Sequence, residues 1–262
     1  MLLRTLLAIL FSLFLFLQGE ACRAASLYLW VWQYNADMTW VAKTDYRIAY
    51  LAGTIRLGPR GIKSLPRTNS LTVPSGTKVT AVVRIEAAPG LTPGDREVEP
   101  LVKEILALVR GRRVEAVQID FDAALSQRDF YRNVLTRLKG ALDQDNQSDL
   151  KLEITALASW ITGDCWTAGL PVSKTVPMIF RMGRHRAEIL RKLEGRRRLE
   201  DVRAIGLSVD EPDVLAAIER GKALDFKSLD DVYLFSPGGW RSLSSRQFAK
   251  IIDAKFARSS LR

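Results

Sequence analysis

Two hydrophobic rhythms alternate along this chain: short apolar runs with period-two character, and longer stretches whose apolar residues recur every three to four positions. Ser26–Gln33, Arg47–Leu57, Lys78–Glu86, Val114–Asp122, Leu150–Ala158, Thr175–Gly183, Arg203–Val209 and Asp231–Phe235 read as eight strands. Helical periodicity covers Glu97–Arg110, where Val98, Leu101, Val102, Ile105, Leu108 and Val109 share a face, and Ser126–Leu142, with Phe130, Val134, Leu135 and Leu138 spaced for burial. Arg184–Glu194 reads as a basic helix. Asp210 or Asp213 caps another that runs to Arg220 with Pro212 early in it, and Ser244–Phe256 forms the closing helix. Asp37–Lys43 fits a short helix, whereas Gly58–Gly76, rich in Gly, Pro, Ser and Thr, reads as a loop or hairpin.

Strands mostly separated by helices predict a parallel sheet covered by those helices, and eight of them predict an α/β fold of the (β/α)8 TIM-barrel type. The absent second helix makes that barrel reduced or irregular around its second unit. A doubly wound open sheet is the alternative. It should carry a Gly-rich nucleotide turn after an early strand, and after the first strand comes QYNADMT instead. Neither a repeat nor linker composition divides residues 26–262, which read as a single domain.

The fourth strand, VEAVQIDFD, organises the candidate chemistry. Val117, Ile119 and Phe121 fall on one face, suited to a covering helix, and Ala116, Gln118, Asp120 and Asp122 on the other. Asp120 and Asp122 are successive same-side positions, roughly 7 Å apart, at the C-terminal strand end where α/β proteins bind ligands. A polar strand end or a cap is the structural alternative. The other strand ends bring Trp32 and Gln33, Arg56, Arg84 and Glu86, then Ser159, Trp160, Asp164 and Trp166, then Arg181 beside Phe180 and Met182, Ser208 and Asp210, and finally Trp240. Carboxylate pairs do acid/base work at glycosidic bonds, and flat aromatic faces stack on the C–H patches of sugar rings. On that chemistry Asp122 and Asp120 are the catalytic candidates, and Gln33, Arg84, Glu86, Trp160, Arg181, Asp210 and Trp240 the substrate-binding ones. Core packing of each Trp, and pairing of Arg84 or Arg181 with Glu86 or Asp122, are the alternatives.

Composition narrows the classes. Two Cys, Cys22 and Cys165, and one His, His185, cannot build a zinc cluster, so no metal or cofactor is expected. A Ser-His-Asp or Cys-His device would have to run through His185, which lies among arginines. Residues 1–25 resemble an export signal: Arg4 supplies the positive end, Leu6–Leu17 the apolar run, and Ala21, Ala24 and Ala25 the small residues before cleavage. Cleavage near Ala24 or Ala25 predicts an exported, periplasmic or secreted chain. Cleavage after Ala21 would expose Cys22 for lipid attachment, and an uncleaved segment would anchor the chain in a membrane. With Cys22 removed, only Cys165 remains and no intrachain disulfide forms. The formal charge is +10, and Arg184–Arg203 is the source of much of the positive charge. That run reads as a solvated helix face with Glu188–Lys192 and Glu194–Arg198 pairs, or as a surface attracted to anionic envelope polymers or lipids. Nucleic acid is not expected, because no basic strand is interleaved with aromatics.

VEAVQIDFD resembles the fourth-strand motif of the family-18 glycoside hydrolases, the chitinase-like barrels, whose pattern runs D-G-x-D-x-D-x-E. Glu115, Gln118, Asp120 and Asp122 fall at its four acidic positions. The resemblance implies Asp122 as the general acid and Asp120 as the residue orienting the substrate's N-acetyl group, which acts as nucleophile. Asp122 stands where the family carries Glu, so its carboxyl sits about 1.5 Å further back, a displacement that matters to catalysis. The set VQIDFDA, SQRDFYRNVL, ITALASW followed by DCW, LPVSKTVPMIFRMG and FSPGGW resembles a family of bacterial exported proteins, a domain of unknown function with a glycosidase-like barrel. In that setting Phe180–Gly183 corresponds to the chitinase-like sixth-strand segment and Trp240 to the aromatic floor of the sugar site. The implied function is a glycoside-hydrolase-like protein with a carbohydrate polymer as partner. A non-catalytic carbohydrate-binding barrel and an envelope scaffold are the alternatives.

Overall fold

The computed structural model describes residues 25–144, 149–163, 166–194, 202–220 and 229–259. All but the last residue of the expected export signal, together with Asp164, Cys165 and part of the basic run, lie outside the described residues.

Eight strands close into a ring: β1 (Ser26–Val31), β2 (Arg47–Gly58), β3 (Val79–Ala87), β4 (Ala116–Asp120), β5 (Lys151–Leu157), β6 (Lys174–Met178), β7 (Ala204–Ser208) and β8 (Asp231–Phe235). Each pairs in parallel with its sequence neighbours, and β1 also pairs with β8, from Ser26 opposite Asp231 to Trp30 opposite Phe235. The helices are α1 (Val98–Val109), α2 (Arg128–Gln144), the short α3 (Ala158–Thr162), α4 (Arg186–Glu194), α5 (Pro212–Arg220) and α6 (Leu243–Ser259). The expected irregularity is in the second unit. After β2 the chain folds back antiparallel as Gly61–Pro66 instead of forming a helix, and Leu71–Thr72 makes a short ladder with Ala36–Asp37. The expected helix at Asp37–Lys43 is a single 3-10 turn, Thr39–Val41.

Side chains sort as the two periodicities require. The outward positions of the strands bury against helices: Val117, Ile119 and Phe121 of the fourth strand join a core with Leu101 and Ile105 of α1 and Val134, Leu135 and Leu138 of α2. The interior of the ring is a second cluster, built around Tyr28, Trp30, Leu51, Val82, Val176 and Tyr233. Tyr28 and Tyr233 stack with ring centres 4.2 Å apart. A polar chain threads this interior. The Trp30 indole N–H donates to Gln118 Oε1 at 2.9 Å, and the Gln118 amide donates to Glu153 Oε2 at 3.3 Å. Glu153 in turn accepts the Tyr233 hydroxyl at 2.9 Å and pairs with Lys174 at 3.0 Å. Gln118 therefore faces into the barrel beside Asp120, as strand alternation demands.

Candidate active site

A cleft of about 410 Å³ opens at the C-terminal ends of the strands. Asp120 and Asp122 both line it, with Arg84 from β3, Thr155 from β5 and Arg181 from the segment after β6. Asp120 is the last residue of β4 and is buried. Its Oδ1 accepts the Thr155 hydroxyl at 2.7 Å, and Arg84 approaches its Oδ2 at 4.0 Å. Burial raises its pKa, and the Glu86 charge adds to this, against the opposing pull of Thr155 and Arg84. Asp122 lies past the strand end and reaches solvent through the cleft mouth. The protein around its carboxyl, and then the neighbouring Asp120, push its pKa up to about 6 despite Arg84. Of the two same-side carboxyls, Asp122 thus holds its proton into a range where it can donate.

The cationic side of the cleft is anchored from behind. Glu86 accepts Arg84 Nε at 3.1 Å and Arg56 Nε at 3.0 Å. It does not line the cleft, so its role is to hold Arg84 against the acid pair. Arg181 carries a positive φ of 52°, rare for a residue with a Cβ. Its backbone N–H donates to Glu211 Oε1 at 3.0 Å and its guanidinium to Asp210 at 2.6 Å, which together hold that turn in place. Asp210 also accepts the Ser208 hydroxyl. Burial alone would raise the Asp210 pKa, but Ser208 and Arg181 outweigh it and keep it below the usual carboxylate range. Asp210 therefore positions Arg181 and is not itself on the cleft lining.

Besides Glu86 and Asp210, three more expected binding residues lie off the cleft lining. Gln33 lies in the bend after the first strand, off the cleft lining, and donates to Thr54 Oγ1 at 3.4 Å. Trp160 is buried in α3 with its ring edge-on to Trp166, 4.9 Å between centres. Trp240 is 1% exposed, donates its indole N–H to the Trp30 carbonyl at 2.8 Å, and packs beside Trp40. It supports the first strand from outside the ring and is not the floor of the cleft. That floor is made by Trp30, Trp32, Phe180 and Phe235, with Phe180 and Phe235 stacked at 5.4 Å and Trp32 edge-on to Phe235 at 6.0 Å. Trp30 and Trp32 share a face by simple alternation, which was the available signal for preferring Trp32 over Gln33. Leu157, Ala158, Ser159, Met178, Met182, His185 and Ile189 complete the lining. Among the described residues no group of three or more His, Cys, Asp or Glu is arranged to hold a metal ion.

The described half of the basic run is largely paired. Lys192 meets Glu188 at 2.8 Å as its spacing predicts, while Arg186 bridges Glu211 and Asp213. Glu194 accepts from Arg220 at 3.2 Å, and its expected partner Arg198 lies outside the described residues.

The floor depends on one glycine. A Cβ on Gly206 in β7 would stand 2.6 Å from Cη2 and 2.8 Å from Cζ3 of Trp30, a ring already fixed by its bond to Gln118. Gly206→Ala is expected to destabilise the fold by about 1–3 kcal/mol through overpacking and to shift tryptophan emission. An unchanged urea midpoint would show that the Trp30 ring is free to yield.

No family model matches the sequence, and no curated protein sequence does either. Solved structures do match in shape. A Streptomyces coelicolor protein assigned as chitinase A superposes with a TM-score of 0.60 at 12% identity, over 90% of this chain and 99% of that one. The catalytic domain of a family GH18 chitinase from the fern Peteris ryukyuensis gives 0.57 at 14% identity, over 89% and 99%. The spore cortex-lytic enzyme SleL of Bacillus megaterium QM B1551 gives 0.54 at 12% identity, over 88% and 74%. At such identities the likeness is one of fold. The chain thus shares its fold, a barrel closed by eight parallel strands, with these chitinase-like structures.

Proposed function

We propose that this protein is a glycoside-hydrolase-like barrel acting on a cell-envelope or environmental polysaccharide outside the cytoplasm. Asp122 protonates the leaving oxygen. Asp120 stabilises developing charge or the substrate's acetamido group, Arg84 balances the pair, and Trp32 and Phe235 carry the sugar face. The observation that best supports this reading is the Asp122 carboxyl, which keeps its proton to about pH 6 in an aromatic-floored cleft. Neighbours of the same fold are named for chitin and spore cortex, which directs the choice of substrate to N-acetylated glycans. The export-signal-like sequence of residues 1–25 supports action outside the cytoplasm, with lipid or membrane anchoring as the variant outcome.

The test is incubation of the full chain with N-acetylated oligosaccharides and cell-wall glycan, following new reducing ends at mildly acidic pH. Release that declines as pH rises through about 6, where the acid loses its proton, is the expected result. Release that persists unchanged well above that pH would remove Asp122 as the donor.

A second reading, a carbohydrate-binding barrel without turnover, is favoured by one feature. Asp122 is a methylene shorter than the family's Glu, and acid catalysis is sensitive to displacements of about 1 Å. Saturable binding of the same oligosaccharides, with no product and no loss of affinity in Asp122→Asn, would select it.

A further inference from the structure

One half of the cleft is unlike the half that carries the acids. From β4 the lining passes to Leu157 and Ala158 at the end of β5, then to Met178 and Met182 around β6, and to Ile189 of α4. Ser159 and His185 lie on the same stretch of lining, one hydroxyl and one imidazole at its edge, and the five side chains named carry no strong hydrogen-bond donor or acceptor. Arg181, which sits between Phe180 and Met182, has its guanidinium drawn off to Asp210 at 2.6 Å. Sugar hydroxyls pressed against Leu157, Met178, Met182 or Ile189, away from Ser159 and His185, would lose water without compensation. The C–H faces of a sugar ring are already served by the aromatic floor. Leu157 and Met178 are only half-buried, so apolar surface remains to be covered. Methionine thioethers adapt to chains of variable shape, and the cleft volume of about 410 Å³ is in the range that takes a drug-sized ligand.

We propose that the natural ligand is a sugar bearing a short alkyl or acyl chain longer than an acetyl methyl, and that this chain lies along Leu157, Met178, Met182 and Ile189. The inference rests on the sugar reading of the cleft and deepens it: recognition comes from a sugar face on the aromatic floor and an aliphatic substituent beside it. The chain can enter as an aglycone or as the N-acyl group.

Both sources are tested by titrating the full chain and following the emission of its tryptophans, two of which, Trp30 and Trp32, line the cleft. The probes are methyl N-acetylglucosaminide, butyl N-acetylglucosaminide, methyl N-pentanoylglucosaminide, and 1-pentanol as a chain without a sugar. Each buried methylene is worth about fourfold in affinity. At least one long-chain sugar should therefore bind more than about tenfold tighter than the methyl N-acetyl probe, and which one does so identifies the source of the chain. Met178→Gln, isosteric and half-exposed, should cancel the gain, so that the long-chain sugars bind the variant no more tightly than the methyl N-acetyl probe does. Equal affinity for all three sugars would overturn the apolar-chain inference and leave the sugar reading standing. Pentanol binding as tightly as the long-chain sugars would overturn the sugar reading and this inference with it. The same holds if no probe binds. A gain that survives Met178→Gln would move the chain off this wall and overturn the assignment.

Discussion

Asp122→Asn is expected to lower turnover of an N-acetylated oligosaccharide by about 10²–10⁴-fold, the range of a lost general acid, and at the same time to make the folded protein more stable above pH 6. Both effects have one cause. In the unfolded chain an Asp titrates near 3.9, and in the fold Asp122 titrates at about 6 because the surrounding protein and Asp120 disfavour its charge. Below both values the carboxyl is protonated in either state and contributes nothing. Between them the folded state holds more protons, so stability falls as pH rises, and above about 6 the full penalty is present. The carboxyl opens to solvent, so the penalty is discounted to about 1 kcal/mol. Asparagine cannot ionise and escapes it. Chemical unfolding of the wild type and the variant should therefore separate above about pH 7 and converge below about pH 3.5. A variant that turns substrate over as well as the wild type would remove Asp122 from the mechanism. An inactive variant whose stability does not separate from wild type would mean the loss has another origin than the removed acid.

The fourth strand announced this pair because alternation is a rule about geometry. Once Val117, Ile119 and Phe121 are assigned to the helix side, Gln118 and Asp120 have nowhere to go but inward, and the structure puts Gln118 on Trp30 and Asp120 on Thr155. The eight-strand count and the missing second helix were legible for the same reason: periodicity survives tertiary context when both faces of a strand are buried. The tryptophans were not legible. Trp160 sits where period two gives way to the short helix α3, so strand parity says nothing about its direction. Trp240 depends on a return turn in which Ser236 bonds the Gly239 carbonyl and Gly239, at φ 78°, packs on the Tyr34 ring. Nothing local in FSPGGW specifies that Trp240 will then cap the carbonyl of Trp30. Strand ends are where sequence reasoning places function, but loops leave them in directions that only long-range packing decides.

The base of the barrel was readable in principle and yields the second large effect. Lys151, Glu153 and Thr155 share the inward register of β5, so an acid in the middle of an apolar strand faced the ring interior and required a partner. That partner is Lys174, the first residue of β6, which meets Glu153 at 3.0 Å and Asp231 at 2.7 Å and lies over the rings of Tyr28 and Tyr233 at 4.8 and 5.5 Å. Burial pulls the Lys174 pKa down, but Glu153, Tyr28 and Asp231 together hold it above the ordinary lysine value, so the ammonium stays charged throughout the neutral range. Lys174→Met would leave the Glu153 side chain, 2% exposed, without its counter-charge. Removing one member of a buried pair costs about 3–5 kcal/mol, which rivals the whole stability of a marginal domain. Adding Glu153→Gln should recover much of that loss, since the amide has no charge to strand, and a coupling of about 0.5–3 kcal/mol between the two sites is the expected reading of the double-mutant cycle. The consequence extends upward, because Glu153 also accepts from Gln118, and Gln118 fixes the Trp30 ring that floors the cleft. In the folded fraction of Lys174→Met, tryptophan emission and sugar affinity should therefore both change although no substituted atom lines the cleft. A loss of stability below about 1 kcal/mol would place Lys174 among ordinary surface pairs. An unchanged Trp30 signal in a destabilised variant would mean that the polar chain through the barrel carries stability alone.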